Sequence, residues 1–221
     1  MKVVYKSLLM IIILNGCTFT LFSEKQINKP VNVNTVLNGN ENTITINWDK
    51  VSSGVSYVVQ EYDSINKIWI NIISKSNLNS FIQRLFTDET IYDDNYNKYK
   101  KLYRVKAYDD FNESEWSDVV SQEYYIELSD MIDEGPSGYS VVFLGNNKYQ
   151  LIATVQNTGN VRIDYSRVDL YMKGGYQNQE VIIEESIYPG DILQITSAEF
   201  IGNGNIPEAY FISFYSVKLI K

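Results

Sequence analysis

The sequence predicts an all-β chain of two tandem sandwiches behind a cleaved leader. Three observations point there. Short apolar runs alternate with period two, as half-buried strands do, and turn-forming Gly, Asn, Asp and Pro clusters separate them. Eighteen tyrosines and nine phenylalanines supply bulky rings that suit a pleated surface. No segment keeps a sustained 3.6-residue apolar period.

Composition narrows the chemistry. The chain has 221 residues, 44% apolar and 21% charged, with a formal net charge of −8. That apolar content fills one or two cores, so disorder is not expected. The acidic balance repels phosphate backbones, and no nucleic-acid partner is expected. There is no histidine. The commonest general base, metal ligand and pH switch is therefore missing, and Ser-His-Asp and Cys-His catalysis are excluded. One cysteine, Cys17, permits neither an intrachain disulfide nor a cysteine zinc site.

The leader comes first. Lys2 and Lys6 precede the apolar run Ser7 to Leu14. That run is shorter than the roughly 20 residues a membrane-spanning helix needs, and it suits the core of a secretory signal peptide. It stops at Leu14-Asn15-Gly16-Cys17, which resembles a bacterial lipobox. The resemblance implies cleavage before Cys17 and diacylglycerol on its sulfur, making Cys17 the lipidation site. Asn15 departs from the small or apolar residue usual at that place. Residues 1–16 are thus expected to be the lipoprotein signal peptide, and 17–29 a lipidated tether.

The first module is expected over 30–128. Ile44, Ile46 and Trp48 share one face of a strand over 43–48. Strands follow over Val55–Tyr62 and Ile68–Ile73, with an ambiguous apolar stretch over 80–86. Tyr103, Val105 and Ala107 face inward on the next strand, and Glu115–Glu123 closes the set. Pro30, Trp48, Tyr57, Tyr103-Arg104-Val105-Lys106-Ala107 and Ser114-Glu115-Trp116-Ser117 resemble, in order and spacing, a fibronectin type III domain. That family keeps a corner tyrosine four residues before the strand valine. Lys101 stands there in this chain, with Tyr99 two residues earlier.

Residues 129–138 (SDMIDEGPSG) form an acidic break around Gly135-Pro136, the expected linker. The second module is expected over 139–221. Its first strand is Tyr139–Leu144, and Gly145-Asn146-Asn147 turns it into Lys148–Gln156. There Tyr149, Leu151, Ala153 and Val155 share a face. Asn157-Thr158-Gly159-Asn160 is turn chemistry. Val161–Met172, Val181–Ile187, Ile192–Thr196 and Tyr210–Ile220 complete about seven strands. With Val168-Asp169-Leu170-Tyr171 and Pro189-Gly190, this half resembles Ig-like bacterial extracellular modules.

Candidate chemistry is sparse. Asp88-Glu89, Asp93-Asp94, Asp109-Asp110 and Glu184-Glu185 lack calcium-loop spacing, and adjacent strand residues point to opposite faces. No metal and no cofactor are expected. No phosphate loop or nucleophile motif occurs, so no enzyme is expected. Tyr92, Tyr96, Tyr99, Trp69 and Trp116 are the candidate binding surface, since rings give contact area at low entropic cost. The expected role is a lipid-anchored protein on the extracytoplasmic side of the bacterial cell envelope. It would serve protein–protein recognition, adhesion or scaffolding. A carbohydrate-binding accessory module, with a glycan partner, or an accessory subunit of an envelope complex is the alternative.

Overall fold

The computed structural model describes residues 26–85, 97–130, 139–205, 207 and 209–218. Every regular element among them is a β-strand, and no helix there is long and apolar enough to cross a membrane. Cys17, Tyr92, Tyr96 and most of the expected linker lie outside the described residues.

The first module packs three strands on four. Strands β1 (Asn34–Asn38), β2 (Thr43–Asn47) and β5 (Ser80–Arg84) form one sheet in the order β1-β2-β5. The other holds β3 (Ser56–Asp63), β4 (Ile68–Ser76), β6 (Asn97–Tyr108) and β7 (Val120–Ile126) in the order β4-β3-β6-β7. All pairs are antiparallel. The alternating residues meet between the sheets: Ile44, Ile46 and Trp48 from one, Tyr57, Val59, Tyr103, Val105 and Ala107 from the other, all buried. Trp48 packs edge-on to Tyr57, with ring centroids 5.3 Å apart. The Tyr57 hydroxyl then accepts from the Val51 amide at 2.9 Å, so the ring stays in the core while its oxygen is satisfied.

Two expectations change here. Strand β7 begins at Val120, not Glu115. Residues 114–117 instead run beside β6 as an irregular segment stitched by serines. The Ser114 amide donates to the Ala107 carbonyl at 2.8 Å, and the Ala107 amide donates to the Ser114 hydroxyl at 3.0 Å. Ser117 repeats this with Val105, at 2.8 and 2.9 Å. A hydroxyl thus stands in for the carbonyl of a ladder partner. The strand expected over Ile68–Ile73 forms as β4 at the sheet edge, where Ile68 and Ile70 are exposed. The tether, expected to run to residue 29, ends earlier: Ile27 is buried in the core, and Lys29 pairs with Asp118 at 2.8 Å.

The second module is centred on β10 (Lys148–Asn157). Along one side of it lie β8 (Leu128–Asp130) and β9 (Tyr139–Gly145); along the other lie β13 (Ile192–Thr196) and β14 (Phe200–Ile201). The facing sheet has the order β12-β11-β15, built from β12 (Gln179–Ile183), β11 (Tyr165–Met172) and β15 (Ala209–Lys218). Leu151, Ala153 and Val155 meet Val168 and Leu170 in a core with no solvent exposure. Ser197 repeats the serine device, exchanging hydrogen bonds with Leu151 at 2.9 and 3.0 Å. The expected linker is also corrected at its start. Leu128 is buried and pairs in the second sheet, so the chain crosses between sandwiches at Glu127.

Asn157 closes the second module. It has no solvent exposure. Its side-chain nitrogen donates to the carbonyls of Val161 (2.9 Å) and Ile187 (2.8 Å), and its oxygen accepts from the Gly159 amide at 3.0 Å. Removing the amide would take three bonds from buried backbone: the Val161 carbonyl would lose its partner, while the Gly159 amide would keep Glu127 and the Ile187 carbonyl would keep Ile163. Asn157→Ala is expected to cost about 1–3 kcal/mol, read as a lower urea midpoint at unchanged slope. A Cβ at Gly159 would lie 2.7 Å from the Tyr125 oxygen and 2.9 Å from the Glu127 nitrogen. Both are backbone atoms, so Gly159→Ala is expected to lose about 1–3 kcal/mol by the same measurement.

Candidate functional site

The outer face of the four-stranded sheet gathers the candidate aromatics. Trp69 on β4 and Trp116 in the serine-stitched segment are half-buried, and both pack on Arg104 of β6. The guanidinium carbon sits 4.2 Å from each ring centroid. Lys106 adds a second cation 4.7 Å from the Trp116 ring. Tyr62 packs against Trp69 at 5.3 Å. Arg104 Nε donates to Gln60 at 2.8 Å, and Gln60 donates in turn to Asn71 at 2.8 Å. The partial burial that sets this stack depresses the Arg104 pKa through desolvation. Arginine nevertheless keeps its charge in proteins, so the cation–π contacts persist. Tyr99 is half-buried and stacks on Tyr124, with centroids 5.0 Å apart and ring planes 14° apart. Trp69 and Trp116 are thus brought together around one cation, and Tyr99 lies apart from them on β6 against the core.

Lys101, at the corner-tyrosine position, pairs with the Glu61 carboxylate, which also accepts from Gln83. The neighbouring Tyr103 phenol has no solvent exposure, and burial beside Glu61 pushes its pKa far up. It stays protonated throughout the range in which the protein could work.

The second module carries two surfaces that sequence reasoning missed. At the end where β9 turns into β10, four rings form a chain across neighbouring elements. Phe143 to Tyr149 is 5.2 Å, Tyr149 to Phe200 is 6.1 Å and Phe200 to Tyr176 is 5.7 Å. Phe143 is 60% exposed; Ile201, on the far side of β10 and on the opposite face of the sheet, is 73% exposed. Three polar side chains around the rings are engaged by backbone carbonyls. Asn147 donates to the Gly202 carbonyl at 2.6 Å, Asn203 donates to the Gly174 carbonyl at 2.8 Å, and the Tyr176 hydroxyl donates to the Asn205 carbonyl at 2.6 Å. What this end offers outward is apolar surface. The mirror-like placement of Phe143 and Tyr149 about the Gly145-Asn146-Asn147 turn was the signal available in the sequence.

The other surface is a lateral slot of 310 Å³ between β12 and β13. Val181, Ile183, Leu193 and Ile195 line it from the two sheets, and Glu184 and Glu185 lie on its rim. It is open because, among the described residues, β12 pairs only with β11 and β13 only with β10. No group of three or more His, Cys, Asp or Glu placed to hold a metal occurs among the described residues. Asp109 serves a turn, accepting from the Phe111 and Asn112 amides at 2.9 and 2.8 Å.

Arg104→Ala is expected to loosen both tryptophans, red-shift the indole emission and cost about 1–2 kcal/mol in the urea transition. Arg104→Lys is expected to restore the loss only in part, because an ammonium lacks the planar stacking surface.

No family model matches the chain, and no curated protein matches it. Solved structures do align with it. A segment of chicken contactin-1 (CNTN1) comprising domains FN1 to FN3 aligns with 87% of this chain at 14% identity and a TM-score of 0.34, and the chain spans 64% of that segment. A two-domain fibronectin type III segment of chicken tenascin aligns with 83% of this chain and 98% of its own length at 13% identity and a TM-score of 0.35. The chitinase ChiA74 from Bacillus thuringiensis aligns with 87% of this chain and 30% of its own length at 18% identity and a TM-score of 0.29.

Proposed function

We propose that the chain is a non-catalytic lipoprotein of the bacterial cell envelope, anchored through Cys17, whose second module recognises a protein partner. The observation that carries this is the row of four rings at one end of the second module. The first module spends Trp69 and Trp116 on its own Arg104. The second leaves Phe143 open to solvent at the end of its row of rings, where the Asn147 and Asn203 side chains are engaged by backbone carbonyls. An exposed ring at the end of a row of packed rings, beside polar groups already bonded to backbone, suits a protein contact.

A sugar-binding end would need free hydrogen-bond donors beside rings that lie side by side. Here the exposed Phe143 is tilted by 50° to Tyr149 and Tyr176 by 73° to Phe200, and only the middle pair, Tyr149 and Phe200, lies near parallel at 25°. The polypeptide partner therefore stands ahead of the glycan. The anchor is supported by Leu14-Asn15-Gly16-Cys17 following an apolar core. Two or more acyl chains hold a protein stably at a bilayer, each buried methylene contributing about 0.8 kcal/mol.

Two measurements test the proposal. Metabolic palmitate labelling is expected in the wild type and lost in Cys17→Ser; label retained in the variant overturns the anchor. A photo-crosslinking phenylalanine analogue placed at Phe143 is expected to give a discrete adduct in cells, while the same analogue at Trp116 gives none. Absence of any adduct at Phe143, with binding on a glycan array, would replace the protein partner by a sugar.

A further inference from the structure

We infer that the two sandwiches move as one rigid body, clasped by the loop 158–164 with Asn42 as its keystone. This goes beyond the proposed function and does not rest on it. Two modules joined by one covalent crossing ordinarily rock and twist about it. Here the crossing at Glu127 is flanked by two further attachments, made to different sheets of the first module.

The first attachment is to β7 and the crossing itself. The amides of Thr158 and Gly159 donate to the Glu127 carbonyl at 3.1 and 3.2 Å. Asn160 donates its amide to the Tyr125 carbonyl at 3.1 Å and accepts the Tyr125 amide on its side-chain oxygen at 2.8 Å. The hydroxyls of Ser129 and Thr158 meet at 2.9 Å.

The second attachment is to the β1–β2 turn, in the opposite sheet. The Arg162 amide donates to the Gly39 carbonyl and to the Asn42 side-chain oxygen, each at 2.8 Å. The Asn42 side-chain nitrogen donates back to the Arg162 carbonyl at 2.9 Å. Asn42 thus pairs with the Arg162 backbone as a neighbouring strand would. It is buried, and it sits at a positive φ of 52°, a conformation asparagine tolerates better than most residues. The Arg162 side chain reaches the Asn40 carbonyl at 3.1 Å and is held by Asp164 at 2.6 Å. Asp164 accepts in turn from Ser186 at 2.9 Å. A Cβ on Gly39 would lie 2.0 Å from the Asn160 oxygen, so the contact closes to backbone distance.

Hinging about Glu127 would break one attachment or the other and leave buried amide groups of Asn42 and Arg162 without partners. Twisting would break both. The bonds across this contact run mainly between backbone and amide groups, so added salt does little to loosen them.

The test is a spin-label distance measurement on the full chain carrying Cys17→Ser, with labels at Lys75→Cys and Gln177→Cys, one on each module. One narrow distance peak is expected. Adding Asn42→Ala is expected to broaden it roughly twofold, because intermodule motion is the default once a contact fails. A broad peak without Asn42→Ala overturns the rigid body. A narrow peak that survives Asn42→Ala overturns the role of Asn42. Should Asn42→Ala fail to fold, Asn42→Asp gives the second variant: it keeps the acceptor for the Arg162 amide but loses the donor to the Arg162 carbonyl, with broadening again expected. Amide relaxation of the wild-type chain gives an independent readout: one shared tumbling tensor is expected, and separate module tensors overturn the inference.

Discussion

The side-chain amide of Asn157 holds the turn on which the rest of the arrangement depends. Wholly out of water, it binds the Gly159 amide and the Val161 carbonyl of the segment it begins, and the carbonyl of distant Ile187. A loop of that length would otherwise bury unpaired backbone groups, which folded proteins avoid. With the turn so fixed, Gly159 and Asn160 lie flat against Tyr125 and Glu127, and Arg162 arrives at the β1–β2 turn. The joint between sandwiches is thus an extension of the second module's own core chemistry.

A related economy governs the aromatics. Rings between the sheets, such as Tyr57 and Tyr103, are core by alternation. Rings outside the sheets divide. On the first module Trp69 and Trp116 enclose Arg104, while Phe111 stands exposed in a turn. Those at the end of the second module touch mainly one another, and Phe143 remains open. A half-buried ring whose face holds a guanidinium is stabilising the sheet beneath it. A ring with an open face can take a partner.

Much of the fold was legible because period-two alternation is local. Ile44, Ile46 and Trp48 declared one sheet face, Tyr103, Val105 and Ala107 its opposite, and Leu151, Ala153 and Val155 the second core. What stayed hidden depends on residues far apart in the chain. Arg104 meets tryptophans from two other segments. Asn42 meets Arg162 across 120 positions. The lateral slot exists because β12 and β13 are edge strands, a property of sheet order that alternation does not encode. The segment 114–117 was misplaced as strand because its alternating pattern is genuine, although serine hydroxyls complete its pairing. Leu128–Asp130 was missed because three residues are too few to display a period.

Those serines have a bearing on solubility. An exposed strand flank with unused donors invites a neighbouring chain to add on and begin a growing stack. Ser114, Ser117 and Ser197 occupy the amides of Ala107, Val105 and Leu151 from within the same molecule. Each hydroxyl then passes its own hydrogen to the next carbonyl in sequence, of Glu115, Asp118 and Ala198. Along these stretches the sheet is hemmed, like cloth with its threads turned under. Copies crowded together in a plane would find no loose backbone there to catch.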